Sequence, residues 1–169
     1  MSTFKELVTT RYSVRRFNSI PVEEDKVHSL LELARIAPTA HNLQPQRIKV
    51  LSTPEELEMV DECTPCRQGA QLVFLVCYEQ GAAWERPFDG QHSGWVDASI
   101  TTTYLMLGAQ DLGLGSCWVM YFDPEKTTRL FELKEGVVPV AFLPVGYAAE
   151  GSVPGPRHTE RVSIEELLL

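Results

Sequence analysis

The chain has 169 residues, enough for one domain that buries roughly 70 per cent of the surface its unfolded form exposes. Its 44% hydrophobic and 22% charged residues are those of a globular protein and exclude disordered, collagen-like and coiled-coil chains. Acidic residues number 23 against 15 basic, so the net charge of -8 argues against a nucleic-acid partner, and no uncharged stretch reaches the roughly 18 residues of a membrane span.

Thr3-Phe4-Lys5-Glu6 has the form of a capping box and opens a first helix that ends near Arg11. This opening also carries Lys5, Glu6, Arg11, Arg15 and Arg16 where a secretory leader has an apolar core, which predicts a cytoplasmic protein with reduced cysteines. From Val22 to Ala37 the apolar residues Val27, Leu30, Leu31, Ala34 and Ala37 recur at helical spacing until Pro38 stops the pattern. Ile48 and Val50 alternate with polar neighbours in a short strand, and Thr53-Pro54-Glu55-Glu56 starts a third helix. Leu72 to Tyr78 is a continuous apolar run, the mark of a strand buried on both faces.

Glu79 to Gly94 has no period and predicts a mobile loop, whereas Trp95 to Leu112 is apolar nearly all round, as a helix inside a core is. Gly113-Leu114-Gly115 ends that helix and Ser116 to Met120 predicts a strand. Asp123-Pro124 caps a helix running to about Leu133, and Val137 to Tyr147 is the last long strand. Ser163-Ile164-Glu165-Glu166 opens a terminal helical turn after the loop at Pro154-Gly155-Pro156. Helices and strands intermingle over the whole chain without repeat or linker, so residues 1–169 read as one layered domain with helices on both faces of a sheet.

Arg11-Tyr12-Ser13-Val14-Arg15-Arg16-Phe17 gathers three of the 15 basic residues and a hydroxyl into seven positions of an acidic chain. In an extended turn, residues 11, 13 and 15 point the same way and present two guanidinium groups and a hydroxyl to an anion. A solvated surface turn is the other reading of the same charges.

This run resembles the Arg-x-Ser-x-Arg-x-Phe mark of the nitroreductase family of flavoproteins, matched by Arg11, Ser13, Arg15 and Phe17. Three further segments are similar to the family in the same order: Ala37-Pro38-Thr39-Ala40-His41-Asn42-Leu43-Gln44-Pro45, Gly113-Leu114-Gly115-Ser116-Cys117-Trp118-Val119, and Gly146-Tyr147 followed by His158-Thr159-Glu160-Arg161. The resemblance implies an α+β fold of three α/β/α layers, with a central mixed sheet flanked by helices, in an intertwined homodimer that holds FMN at its subunit interface. It implies a ping-pong reaction in which NADH or NADPH reduces the flavin and a small electron-poor aromatic, a nitro compound or quinone, reoxidises it.

The same resemblance assigns Arg11, Ser13 and Arg161 to the FMN phosphate, with Tyr12 and His158 beside them, and Arg15 to the N1 and O2 edge of the ring. Pro38, Thr39, Ala40, Asn42 and Gln44 belong to the loop contributed by the partner subunit. Trp118 and the backbone of Val119, Met120 and Tyr121 line the flavin near N5 and O4. Residue chemistry agrees, because a phosphate monoester of about -1.5 to -2 charges needs convergent guanidinium and hydroxyl donors in an acidic protein. A fixed cation near N1 also stabilises the reduced ring. Since the flavin carries the hydride, no catalytic acid, base or nucleophile is expected of the protein.

Two other readings stay open on this scaffold: a flavin-binding storage or sensory protein without turnover, and reductive dehalogenation or flavin breakdown. Cys63 and Cys66 form a lone C-x-x-C with no second pair at zinc spacing, so no metal is expected, and Trp118 in place of a third glycine removes the dinucleotide fingerprint. His41 and His92 read as inert loop residues or ligand contacts. Trp84, Phe88 and Trp95 read as loop anchors or as a sandwich for a planar substrate.

Overall fold

A computed structural model describes residues 3–169. Its elements follow in the order α1 (Phe4–Thr10), α2 (Glu24–Ile36), β1 (Gln46–Leu51), α3 (Pro54–Cys63), β2 (Leu72–Glu79), α4 (Gly94–Asp111), β3 (Gly115–Ser116), α5 (Pro124–Leu130), β4 (Val137–Gly146) and α6 (Ile164–Leu167). Local chemistry sets their starts. Thr3 with Glu6 and Thr53 with Glu56 form reciprocal capping boxes, and the Asp123 carboxylate takes the Lys126 N–H ahead of Pro124.

Four strands form one sheet in the order β1-β2-β4-β3. The named strands all pair antiparallel, and the parallel component expected of a mixed sheet is confined to the isolated bridge between Ser13 and Ser116. The reason is that the N-terminal segment touches the sheet edge without continuing as a strand. Pairing of β2 with β4 slips at Val76/Cys77, beside Pro139, a residue with no N–H for the ladder.

The apolar run of β2 divides between two cores. Leu72, Phe74, Val76 and Tyr78 pack with Leu30 and Ala34 of α2 and Ala98, Leu105 and Ala109 of α4. Val73, Leu75 and Cys77 pack on the other face with Leu57 and Val60 of α3 and with Phe131 at the end of α5. Helices therefore cover both faces, in the α+β arrangement of three layers.

Two predicted elements change. The strand expected over residues 116–120 shrinks to Gly115–Ser116 plus a single bridge from Val119 to Phe142. Residues 79–94, expected as a mobile loop, carry a 3-10 turn at Gln80–Ala82 and a Glu85–His92 bridge, clasped by Arg86 against Asp89 and Gln91. Side-chain clasps of this kind leave no periodic trace. Among the described residues no helix is long and apolar enough to cross a membrane.

Candidate functional site

Val14 and Phe17 are buried against Ala70, and these anchors hold the segment after α1 in extended form along the sheet edge. The Val14 N–H donates to the Ser116 carbonyl at 3.0 Å. Gly115 makes this approach possible, since a Cβ there would lie 2.4 Å from Val14 Cγ2. With Val14 turned inward, Arg11, Ser13 and Arg15 line one side of a cleft of about 650 Å³.

The other side comes from the chain end. After β4 the backbone returns over the same segment: the Ala149 N–H donates to the Arg16 carbonyl at 2.9 Å, the Ser152 hydroxyl to that carbonyl at 3.0 Å, and the Tyr12 hydroxyl to the Ser152 carbonyl at 3.3 Å. This return carries Gly155, Arg157, His158 and Arg161 to the cleft wall. Four guanidinium groups, one imidazole and one hydroxyl meet there, and no carboxylate lines the cleft. Beneath it, burial pushes the Cys117 thiol up, opposed by the Arg15 and Arg11 charges and a hydrogen bond with Ser13. Such a donor set suits a multiply charged anion.

The expected residues separate into groups. Arg11, Ser13, Arg15, His158 and Arg161 share the cleft, while Tyr12 stands behind it with its ring edge-on to His158 at 6.3 Å. Arg157 belongs to the cleft and was missed, although its place next to His158 in a second basic cluster was a usable signal.

Pro38, Thr39, Ala40, Asn42 and Gln44 form a different site, since none of them lines the cleft of their own chain. His41, Asn42 and Gln44 all adopt left-handed backbone angles, with φ of 51°, 54° and 53°. Internal bonds hold the loop: the Gln44 N–H donates to the Thr39 hydroxyl at 3.1 Å, and the Gln44 side chain donates to the Asn42 carbonyl. The loop is tied to α4 by the Ala40 N–H, which donates to Asp97 Oδ1 at 2.9 Å, and His41 stacks on Trp84 with ring centres 5.4 Å apart.

The backbone of Val119 departs from its expected role. Its N–H and carbonyl are both consumed by Phe142, at 2.9 and 3.0 Å, because the chain makes a bridge to β4 there. Met120 and Tyr121 are exposed, and among the described residues their N–H groups donate to no partner. Trp118 packs on the α2–α4 core, and among the described residues its buried indole N–H has no acceptor. Of the C-x-x-C pair, Cys63 is buried at the end of α3 and Cys66 is half-buried, both as free thiols.

The profile of the nitroreductase family matches residues 8–74 and 67–147. The chain belongs to the nitroreductase family. A nitroreductase family protein from Clostridium difficile 630 has a crystal structure that superposes with a TM-score of 0.94 at 37% identity, over 99% of this chain and 98% of that one. A Methanothermobacter thermautotrophicus relative, whose name infers NADH dehydrogenase or NAD(P)H nitroreductase activity, is 30% identical over 95% of this chain and 86% of its own. The FMN complex of a protein from Exiguobacterium sibiricum shares the nitroreductase fold, with a TM-score of 0.84 at 19% identity over 99% of this chain and 96% of that one. Family membership makes this protein an oxidoreductase by class.

Proposed function

We propose that the protein is an FMN-dependent oxidoreductase that takes electrons from NADH or NADPH and passes them to a small electron-poor acceptor such as a nitroaromatic or quinone. One observation carries this reading: Arg11, Ser13, Arg15, Arg157, His158 and Arg161 converge on a cleft without a single carboxylate, in a chain of net charge -8. That donor set fits a phosphate monoester, and the FMN complex with the same fold supplies the ligand class. The bound flavin would supply the two-electron transfer.

The chain's own residues bind and orient. Arg11 and Arg161 line the cleft and would hold the phosphate with the Ser13 hydroxyl, and Arg15 would supply a permanent positive charge to the reduced ring. The free N–H groups of Met120 and Tyr121 offer donors to ring acceptors, a role Val119 has given up to the sheet.

The functional unit is a homodimer. The Pro38–Gln44 loop does not reach the cleft of its own chain, and the apolar residues of α6 have no buried member to anchor them. Phe4, Trp95, Val96, Ile164 and Leu167 are likewise exposed, a surface that a second copy would cover.

An absorbance scan of the purified protein tests the reading. The expected sample is yellow, bleaches when NADH or NADPH is added anaerobically, and regains its colour with a quinone. A protein that refuses excess FMN overturns it, and colour without bleaching favours a flavin carrier that does not turn over.

A further inference from the structure

Asp97 lies in the first turn of α4, only 1% exposed, and is the single buried carboxylate among the described residues. An acid in the first turn of a helix complements the helix dipole without needing burial. Glu24, Glu55, Glu125 and Glu165 do so at the starts of α2, α3, α5 and α6, all in exposed positions. Burying Asp97 carries a desolvation cost that its helix does not require, so its partners must account for its place.

Those partners lie on two other segments. Oδ1 accepts the Ala40 N–H at 2.9 Å and Oδ2 accepts the Ser93 hydroxyl at 2.7 Å. The Ser93 N–H in turn donates to the Trp84 carbonyl at 2.8 Å, and the Trp84 ring stacks on His41. The carboxylate is thus the joint between α4, the clasped 84–93 segment and the 39–44 loop. Within that loop three non-glycine residues hold left-handed angles. Each such residue costs about 1 kcal/mol or more, and the conformation persists only where neighbours over-determine it.

We propose that Asp97 is the positioning residue that keeps the 39–44 loop in its left-handed form, ready to receive FMN across the dimer. This rests on the functional reading above. The carboxylate touches neither the cleft nor any of its lining residues; it acts through the Ala40 N–H, the only tie it makes to the loop.

The test titrates FMN into apoprotein, followed by quenching of flavin fluorescence, for wild type, Asp97→Asn and Asp97→Ala. Asp97→Asn keeps an acceptor for Ala40 and should bind within about twofold of wild type. Asp97→Ala should bind about tenfold more weakly, the scale of one lost hydrogen bond to a charged group. A purely structural role lowers melting temperature and leaves the affinity of the folded fraction unchanged, so equal affinity of wild type and Asp97→Ala overturns the proposal.

A second measurement does not depend on Asp97→Ala folding. In wild-type apoprotein the Ala40 amide should exchange with solvent at least about tenfold more slowly than the His41 amide, which among the described residues donates to no acceptor. Equal exchange overturns the proposal. Wild type that takes up no FMN fails the functional reading itself, which distinguishes the two.

Discussion

Arg11 and Arg15 stand four positions apart on one side of an extended segment and line the same cleft; the proposed reading gives them different tasks, phosphate for Arg11 and ring for Arg15. Arg11→Ala should weaken FMN binding by about 1.5 to 3 kcal/mol, the range for a hydrogen bond to a charged group, as measured by titrating the apoprotein. Arg15→Ala should lower the flavin reduction potential more than it lowers affinity, a difference that spectroelectrochemistry reads directly. Cys77, buried between β2 and the α3 side of the core, has its thiol pushed up to about 12 by desolvation. A raised folded value means that the stability this thiol contributes is complete below its unfolded value near 9 and is lost as pH climbs from there toward 12. Denaturant melts between pH 9 and 12 should therefore show a loss of up to about 1.4 kcal/mol per pH unit from this group, absent in Cys77→Val. The cationic marks were legible because charge stands out in an acidic chain. Arg157, beside His158 and near Arg161, carries the same kind of signal; Asp97 does not, since a single Asp in an apolar helix looks the same whether solvated or enclosed.

Helix α4 owes its place to its small residues. At Gly108 a Cβ would lie 2.4 Å from Leu33 Cδ1 and 3.2 Å from Leu30 Cδ2, so the glycine lets α2 and α4 approach closely. Gly108→Val should destabilise the protein by about 1 to 3 kcal/mol through overpacking, because a branched side chain meets the fully buried Leu30 as well as the half-buried Leu33, and urea melts at neutral pH check it. Starts of helices were readable from the chain because Thr3 with Glu6, Thr53 with Glu56, and Asp123 satisfy orphan N–H groups within three residues. The strand after Gly115 was over-read. An apolar run reports burial, and from Cys117 to Val119 burial arises from a crossing beside β4, where only Val119 exchanges both hydrogen bonds with Phe142. The 84–93 segment was under-read, because the Arg86 clasp with Asp89 and Gln91 is made by side chains without period.

The molecule concentrates four Arg side chains in one cleft while the chain as a whole is acidic, so small anions are drawn to one place and polyanions are repelled elsewhere. Its chain end is poorly anchored to its own domain, with Ile164, Leu167 and Leu168 all about seven-tenths exposed. In the proposed homodimer, changing Leu167 and Leu168 together to Glu should shift the protein from dimer to monomer and reduce FMN retention with it, as read by light scattering on a sizing column with absorbance detection. What the amino-acid order alone determined is most of the helices and the long strands, the capped helix starts and the charged motifs, since each of these depends on neighbours a few residues away. What only the folded chain decided is the meeting of residues 11–15 with residues 153–161, the tie of the Pro38–Gln44 loop to α4 and not to that cleft, and the burial of Asp97. Tyr12 and Ser152 touch across 140 positions, and no local period records a contact that arises from the path of the backbone around the sheet.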